Sequence, residues 1–165
     1  FRRDYLAHPR LRTIAASRKI VNEDEVLAAM RAVPGVRAQG VDLSPMTLRE
    51  QLAVVRDTDV LVGMHGAGLS WTLALPDDSS LLELMPAEYA ARPHFRFFAA
   101  WAGHAYEHLA IESQMGFNPN MHNGQGDSYT VNPQELRASL TTVVAQFNER
   151  HRVTAVSFCA VKLLC

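Results

Sequence analysis

Cysteine is almost missing from this chain. There are two in 165 residues, Cys159 and Cys165, both close to the end. That gives no support for a disulfide framework, and their placement is not the spacing of a metal site. Long apolar runs are also missing: nothing approaches the roughly 18 residues that a membrane-spanning helix needs, and no signal-peptide pattern is present. Neither charge is in excess, with 16 Lys plus Arg against 17 Asp plus Glu and a formal net charge of -1. No global field therefore draws the chain to nucleic acid or to an anionic membrane, and any bound anion must be held locally. Internal repeats and low-complexity tracts are absent too. The start at Phe1 rather than Met reads as a fragment of a longer protein.

What is present is the composition of one ordinary folded domain, 48% hydrophobic and 20% charged, large enough to bury a core. Short β-rich runs alternate with segments of helical period. Strands are expected at residues 11–16, 36–42, 59–64, 80–85 and 104–111. The run Asp59-Val60-Leu61-Val62-Gly63-Met64 is the clearest, nearly continuous in apolar residues, as in a strand covered on both faces. Helices are expected at residues 22–32, 47–56, 69–75, 93–102 and 132–150. Asn22 with Glu25 and Thr47 with Glu50 have the spacing of capping boxes, and Asn132 precedes Pro133 at a first helical position. Residues 112–132, rich in Gly, Asn and His, carry no period and read as a long loop. This alternation predicts an α/β fold with a Rossmann-like, doubly wound, mostly parallel sheet and helices on both faces. Residues 1–150 make up the domain, and the apolar tail 151–165 is open between a last strand, a helix and the start of something further.

Ligands of open parallel sheets bind beyond the carboxyl ends of the strands. Among those turns His65-Gly66-Ala67-Gly68-Leu69 is unusual, because two glycines remove Cβ atoms where a strand enters a helix and let a phosphate approach backbone N–H groups. The same residues also fit a tight structural turn with a hydrogen-bonded histidine. Arg18 and Lys19 lie between a strand and a capped helix, where a guanidinium can grip a phosphate or simply stand in solvent. Glu23, Asp24 and Glu25 fill the first turn of a helix and offset its dipole. Glu83 interrupts an apolar strand, and a buried carboxylate needs a partner, either a structural arginine or a ligand. His104 and His108 share one face of a strand but stand about 13 Å apart, too far for one metal ion.

Three segments together resemble glycosyltransferase family 61: residues 18–25 (RKIVNEDE), residues 59–69 (DVLVGMHGAGL) and residues 81–84 (LLEL) after the Pro76 turn. Within the family the resemblance is strongest to the EGF-domain-specific O-linked N-acetylglucosamine transferase branch. The resemblance implies a GT-B type enzyme of two Rossmann-like domains, this being the carboxy-terminal, donor-binding one. It places Arg18 on the donor phosphates and His65, Gly66, Ala67, Gly68 and Leu69 around the pyrophosphate, with Glu83 matching the family's strand glutamate. It further implies inverting transfer of a sugar, N-acetylglucosamine or xylose, from a UDP-sugar donor to a protein hydroxyl or a glycan, in the endoplasmic reticulum or Golgi lumen. No cofactor beyond the donor is called for, and no catalytic base is identified. The alternative is a non-catalytic nucleotide- or phosphate-binding module.

On this reading Arg18 neutralises charge that builds on the departing diphosphate. Arg18→Ala in the full-length enzyme should lower turnover at saturating donor on the order of 10²-fold. Arg18→Lys should restore only part, since an ammonium lacks the bidentate fork. Near-normal turnover of Arg18→Ala in steady-state kinetics removes Arg18 from the donor site.

Overall fold

The computed structural model describes residues 19–112, 128–151 and 159–164. Along the chain run β1 (Lys19–Ile20), α1 (Glu23–Arg31), β2 (Val36–Val41), α2 (Leu48–Arg56), β3 (Val60–Met64), a 3-10 segment (Ala67–Ala74) and β4 (Ser80–Pro86). A 3-10 turn (Ala87–Tyr89), α3 (His94–Trp101), β5 (Ala105–Ile111), β6 (Ser128–Tyr129), α4 (Pro133–His151) and β7 (Cys159–Leu164) follow. Five strands form one sheet in the order β2-β7-β3-β4-β5, and all its pairings are parallel. The expected parallel α/β sheet is therefore present, and it is consistent with a Rossmann-like fold. The strand expected at residues 11–16 lies outside the described residues.

Strand alternation sorts the apolar side chains into two cores. Val60, Val62, Leu82, Leu84, Val161 and Leu163 face α1 and α4, where Val26, Met30, Leu136, Leu140 and Val144 close over them. Leu61 and Leu81 face the other way, against Val55 of α2, Leu69 of the 3-10 segment and Phe95 and Ala99 of α3. With both faces covered, β3 and β4 are almost wholly buried. Among the described residues no helix is long and apolar enough to cross a membrane.

Within the apolar tail the described residues 159–164 form β7, and that strand is not at an edge. β7 lies between β2 and β3, with Val161 pairing to both Ala38 and Val60. Asp59 locks it in place: its Oδ2 accepts from the Ala160 N–H at 2.6 Å while its own N–H donates to Ala160 O at 2.9 Å. Burial, with the nearby Asp59 carboxylate, pushes the Cys159 thiol up to about 12, so this cysteine is a protonated packing residue.

Two helix starts agree with the sequence and one does not. Thr47 and Glu50 form the reciprocal capping box, and those hydrogen bonds hold the Glu50 carboxyl below its ordinary range. Asn132 Oδ1 accepts from the N–H groups of Gln134 and Glu135 at 3.0 and 3.3 Å. Asn22 does not cap α1. Its side chain instead accepts from Val131 N–H at 3.1 Å and donates to Val131 O at 2.9 Å, clasping the chain before α1 to the chain before α4. Two polar groups of a distant backbone outcompete the local cap. The loop expected over residues 112–132 contains β6, which pairs in parallel with β1; residues 113–127 lie outside the described residues. The helix expected over residues 69–75 is a 3-10 segment that begins earlier, at Ala67.

At the amino edge of the sheet His104 is buried. Burial lowers its pKa from the ordinary 6.5, against smaller opposite pulls from a Thr72 backbone hydrogen bond and from Asp77 and Asp78. Between the folded and unfolded values the unfolded chain binds more protons. Stability is thus full above about 6.5 and is lost as pH falls through it towards the folded value.

Two outcomes check this architecture. Ending the chain after His151 removes the strand shared by β2 and β3, so cooperative melting should disappear. In the intact protein the melting temperature should fall between pH 7.5 and 5.5, and His104→Leu should flatten that fall.

Candidate functional site

Of the residues singled out by sequence, the His65–Leu69 turn and Glu83 meet at the carboxyl end of β3. His65 extends the β3–β4 ladder by one step, its N–H donating to Leu84 O at 2.9 Å. Its side chain turns back over the sheet towards Glu83, which pairs in register with Gly63. His65 Nδ1 lies 2.6 Å from Glu83 Oε1, and the Tyr106 hydroxyl, from β5, donates to Glu83 Oε2 at 2.8 Å. Glu83 is 0% exposed and His65 3%. The two partners considered for Glu83, an arginine or a ligand, are thus replaced by a histidine and a tyrosine. Leaving a buried carboxylate unpaired costs several kcal/mol, and here each oxygen has a donor. Glu83 lies behind the turn and acts on it through His65.

The imidazole is held on its other sides by rings. Tyr89 stacks on it with centroids 5.1 Å apart and planes at 13°. Phe95 meets it edge-on at 5.1 Å, and His94 lies 6.2 Å away. Arg92 stands over the Tyr89 ring at 4.9 Å. Burial, followed by the hydrogen bond to Glu83 and its charge, pushes the Tyr106 phenol above its ordinary range, so the hydroxyl remains a donor.

The glycines of the turn do different work. Gly63, on the strand before the motif, is where packing demands the absence of a side chain: a Cβ there lies 2.9 Å from Leu69 Cδ2 and 3.4 Å from Leu164 Cβ. Its absence lets the 3-10 segment fold down onto the sheet and bury Leu69. At Gly68 a Cβ meets only Leu164 Cδ1, at an ordinary 3.8 Å. Leu69 N–H donates to Gly66 O at 2.9 Å. Among the described residues this leaves the N–H groups of Gly66, Ala67 and Gly68 outside the chain's own backbone bonding, and Ala67 and Gly68 are exposed. Because the segment is 3-10, the aligned dipole of a full α-helix is not available, and what this end of the segment offers is the individual amides.

Arg18 lies outside the described residues. Its neighbour Lys19 pairs with Ser128, and Val21 N–H donates to Tyr129 O at 2.9 Å. The Tyr129 hydroxyl then donates to Glu88 Oε1 at 2.6 Å, just past the end of β4. The segment following Arg18 is therefore tied to the carboxyl end of the sheet, where His65 also lies. A concavity lined by residues 20–25 opens beside it. Tyr89, His94, Phe95, Tyr106 and Tyr129 were not visible as site residues in the sequence. Only Tyr106 had a signal, through the alternation that puts it on the same face of β5 as His108.

The sequence profile of the glycosyltransferase 61 family matches residues 2–82, which contain both the Arg18 segment and the His65 turn. The chain belongs to glycosyltransferase family 61. Among family 61 relatives, a beta-1,2-xylosyltransferase of Arabidopsis thaliana is 33% identical over 121 residues, covering 66% of this chain and 22% of that protein. An EGF domain-specific O-linked N-acetylglucosamine transferase of Drosophila melanogaster is 42% identical over 71 residues, 43% of this chain and 14% of that protein. The corresponding protein of Xenopus laevis is 43% identical over 75 residues, 44% of this chain and 14% of that protein. The chain thus spans less than a quarter of the length of these family 61 relatives, and it matches relatives named for two different sugars.

The contrast between the glycines is measurable. Gly63→Ala should lower stability by about 1–3 kcal/mol through overpacking against Leu69 and Leu164. Gly68→Ala should cost well under 1 kcal/mol, as expected at an exposed position with room for the methyl. Urea denaturation of both variants tests the pair, and equal losses overturn the assignment.

Proposed function

We propose that this domain binds the diphosphate of a nucleotide-sugar donor at the turn after β3 and forms the donor half of a GT-B type, inverting glycosyltransferase. One observation carries the reading. At the carboxyl end of a parallel strand, a histidine clamped by a buried carboxylate stands beside amides that the fold leaves unspent. A carboxylate only accepts hydrogen bonds, so His65 Nδ1 donates to Glu83, and Nε2 is a second donor only in the doubly protonated form of the ring. A diphosphate only accepts as well. The amides of Ala67 and Gly68, with the His65 ring when it is doubly protonated, are then donors for charge that builds up on the leaving group, and the Arg18 guanidinium adds a positive charge.

The donor is a UDP-sugar, with N-acetylglucosamine or xylose as the sugar; the names of the family 61 relatives support both. The acceptor is a protein hydroxyl or a glycan, and the compartment is the endoplasmic reticulum or Golgi lumen. No residue of this chain is assigned as the base that activates the acceptor.

The test is a titration of the full-length protein with a panel of nucleotide sugars, recording thermal stabilisation and then transfer. Stabilisation by one UDP-sugar with transfer to an acceptor is expected. Binding without transfer to any acceptor points to a non-catalytic module. Gly68→Val should abolish UDP binding while leaving the melting curve nearly unchanged, because its Cβ blocks phosphate approach but finds room in the fold. Unchanged UDP affinity in that variant makes the turn structural.

A further inference from the structure

We propose that Tyr106 is a positioning residue of the donor site, acting through Glu83 to fix the orientation of the His65 imidazole. The proposal rests on the reading of the His65 turn as a diphosphate site. A glutamate's last torsion is soft, so a carboxylate held at one oxygen can swing about that contact. Held at both, by His65 Nδ1 at 2.6 Å and the Tyr106 hydroxyl at 2.8 Å, its plane is fixed. A hydrogen bond prefers to lie near that plane, so fixing it fixes the line along which Nδ1–H points. Tyr89 stacked on the imidazole and Phe95 against its edge limit tilting. Rotation within the ring plane is what the carboxylate controls, and that rotation sets where Nε2 lies.

Tyr106 is not needed to join its strand to the sheet. β4 and β5 pair continuously from Ser80↔Ala105 to Pro86↔Ile111, and the ring also stacks on His108 with centroids 6.2 Å apart. Its hydroxyl is half of what satisfies Glu83, a group of 0% exposure. Tyr106→Phe keeps the ring and the strand and deletes only the second tether on the carboxylate.

A double-mutant cycle tests this, by isothermal titration of the full-length protein with UDP. Tyr106→Phe should weaken UDP binding about fivefold, the size of one ordinary hydrogen bond. In a His65→Gln background the same change should have no further effect, since Tyr106 then has no imidazole to position. An equal loss in both backgrounds overturns the proposal, because Tyr106 then acts independently of His65. No loss from Tyr106→Phe where His65→Gln does weaken UDP also overturns it, while leaving the donor-site reading intact. Unchanged affinity in His65→Gln removes the donor-site reading itself. Nitrogen NMR of the ligand-free wild type supplies a check that needs no variant. The His65 Nδ1 proton should be slow to exchange, and rapid exchange with solvent overturns the clamp.

Discussion

The carboxylate of Glu83 is the constraint around which this end of the molecule is arranged. A strand that packs against helices on both faces has no solvent for a charge, so the oxygens must be satisfied from within. One donor comes from the turn after β3 and the other from the neighbouring strand β5. Gly63, opposite Glu83 in the ladder, leaves the space into which Leu69 folds, and with Leu69 the whole 3-10 segment settles on the sheet. Histidine and leucine of the motif are therefore tied to residues outside it. The same contacts that make His65 look structural hold its imidazole in one orientation.

A structural histidine and a ligand-binding histidine are usually set against each other, and under the proposed donor role of His65 the two descriptions coincide. A side chain that must meet a diphosphate in one orientation gains from being buried on every other side. Tyr89, Phe95 and Glu83 provide that enclosure. Membership of glycosyltransferase family 61 is compatible with this geometry, since the matched region contains the turn and reaches into β4 as far as residue 82.

Much of the fold was legible in the sequence because its signals are local. The apolar run ending in Met64, the Thr47–Glu50 box and the Asn132–Pro133 start each depend on residues a few positions apart, and the structure has all of them. What escaped was set by distance along the chain. Asn22 has good capping chemistry, yet Val131 offers it a donor and an acceptor together. A two-residue strand such as Ser128–Tyr129 has no period to detect. Tyr106 reads as one more aromatic in an alternating strand until β4 is laid beside it. The turn itself was legible from its glycines, but Gly63, the position where a side chain does not fit, sits inside an apolar strand and looks like a minor interruption.

The position of β7 bears on how the protein reaches this state. β2 and β3 are consecutive strands in sequence, yet they cannot pair, because the strand between them comes from residues 159–164. The β3-β4-β5 portion has short connections and can associate as soon as it is made. β2 has no partner in the large sheet until the last described strand arrives, and loop closure over so long a span must be met before its contacts form. During synthesis, which proceeds from the amino end, β2 and the inner edge of β3 would stand as open strand edges. For this domain, completing the sheet is a late insertion into its middle rather than an addition at its rim.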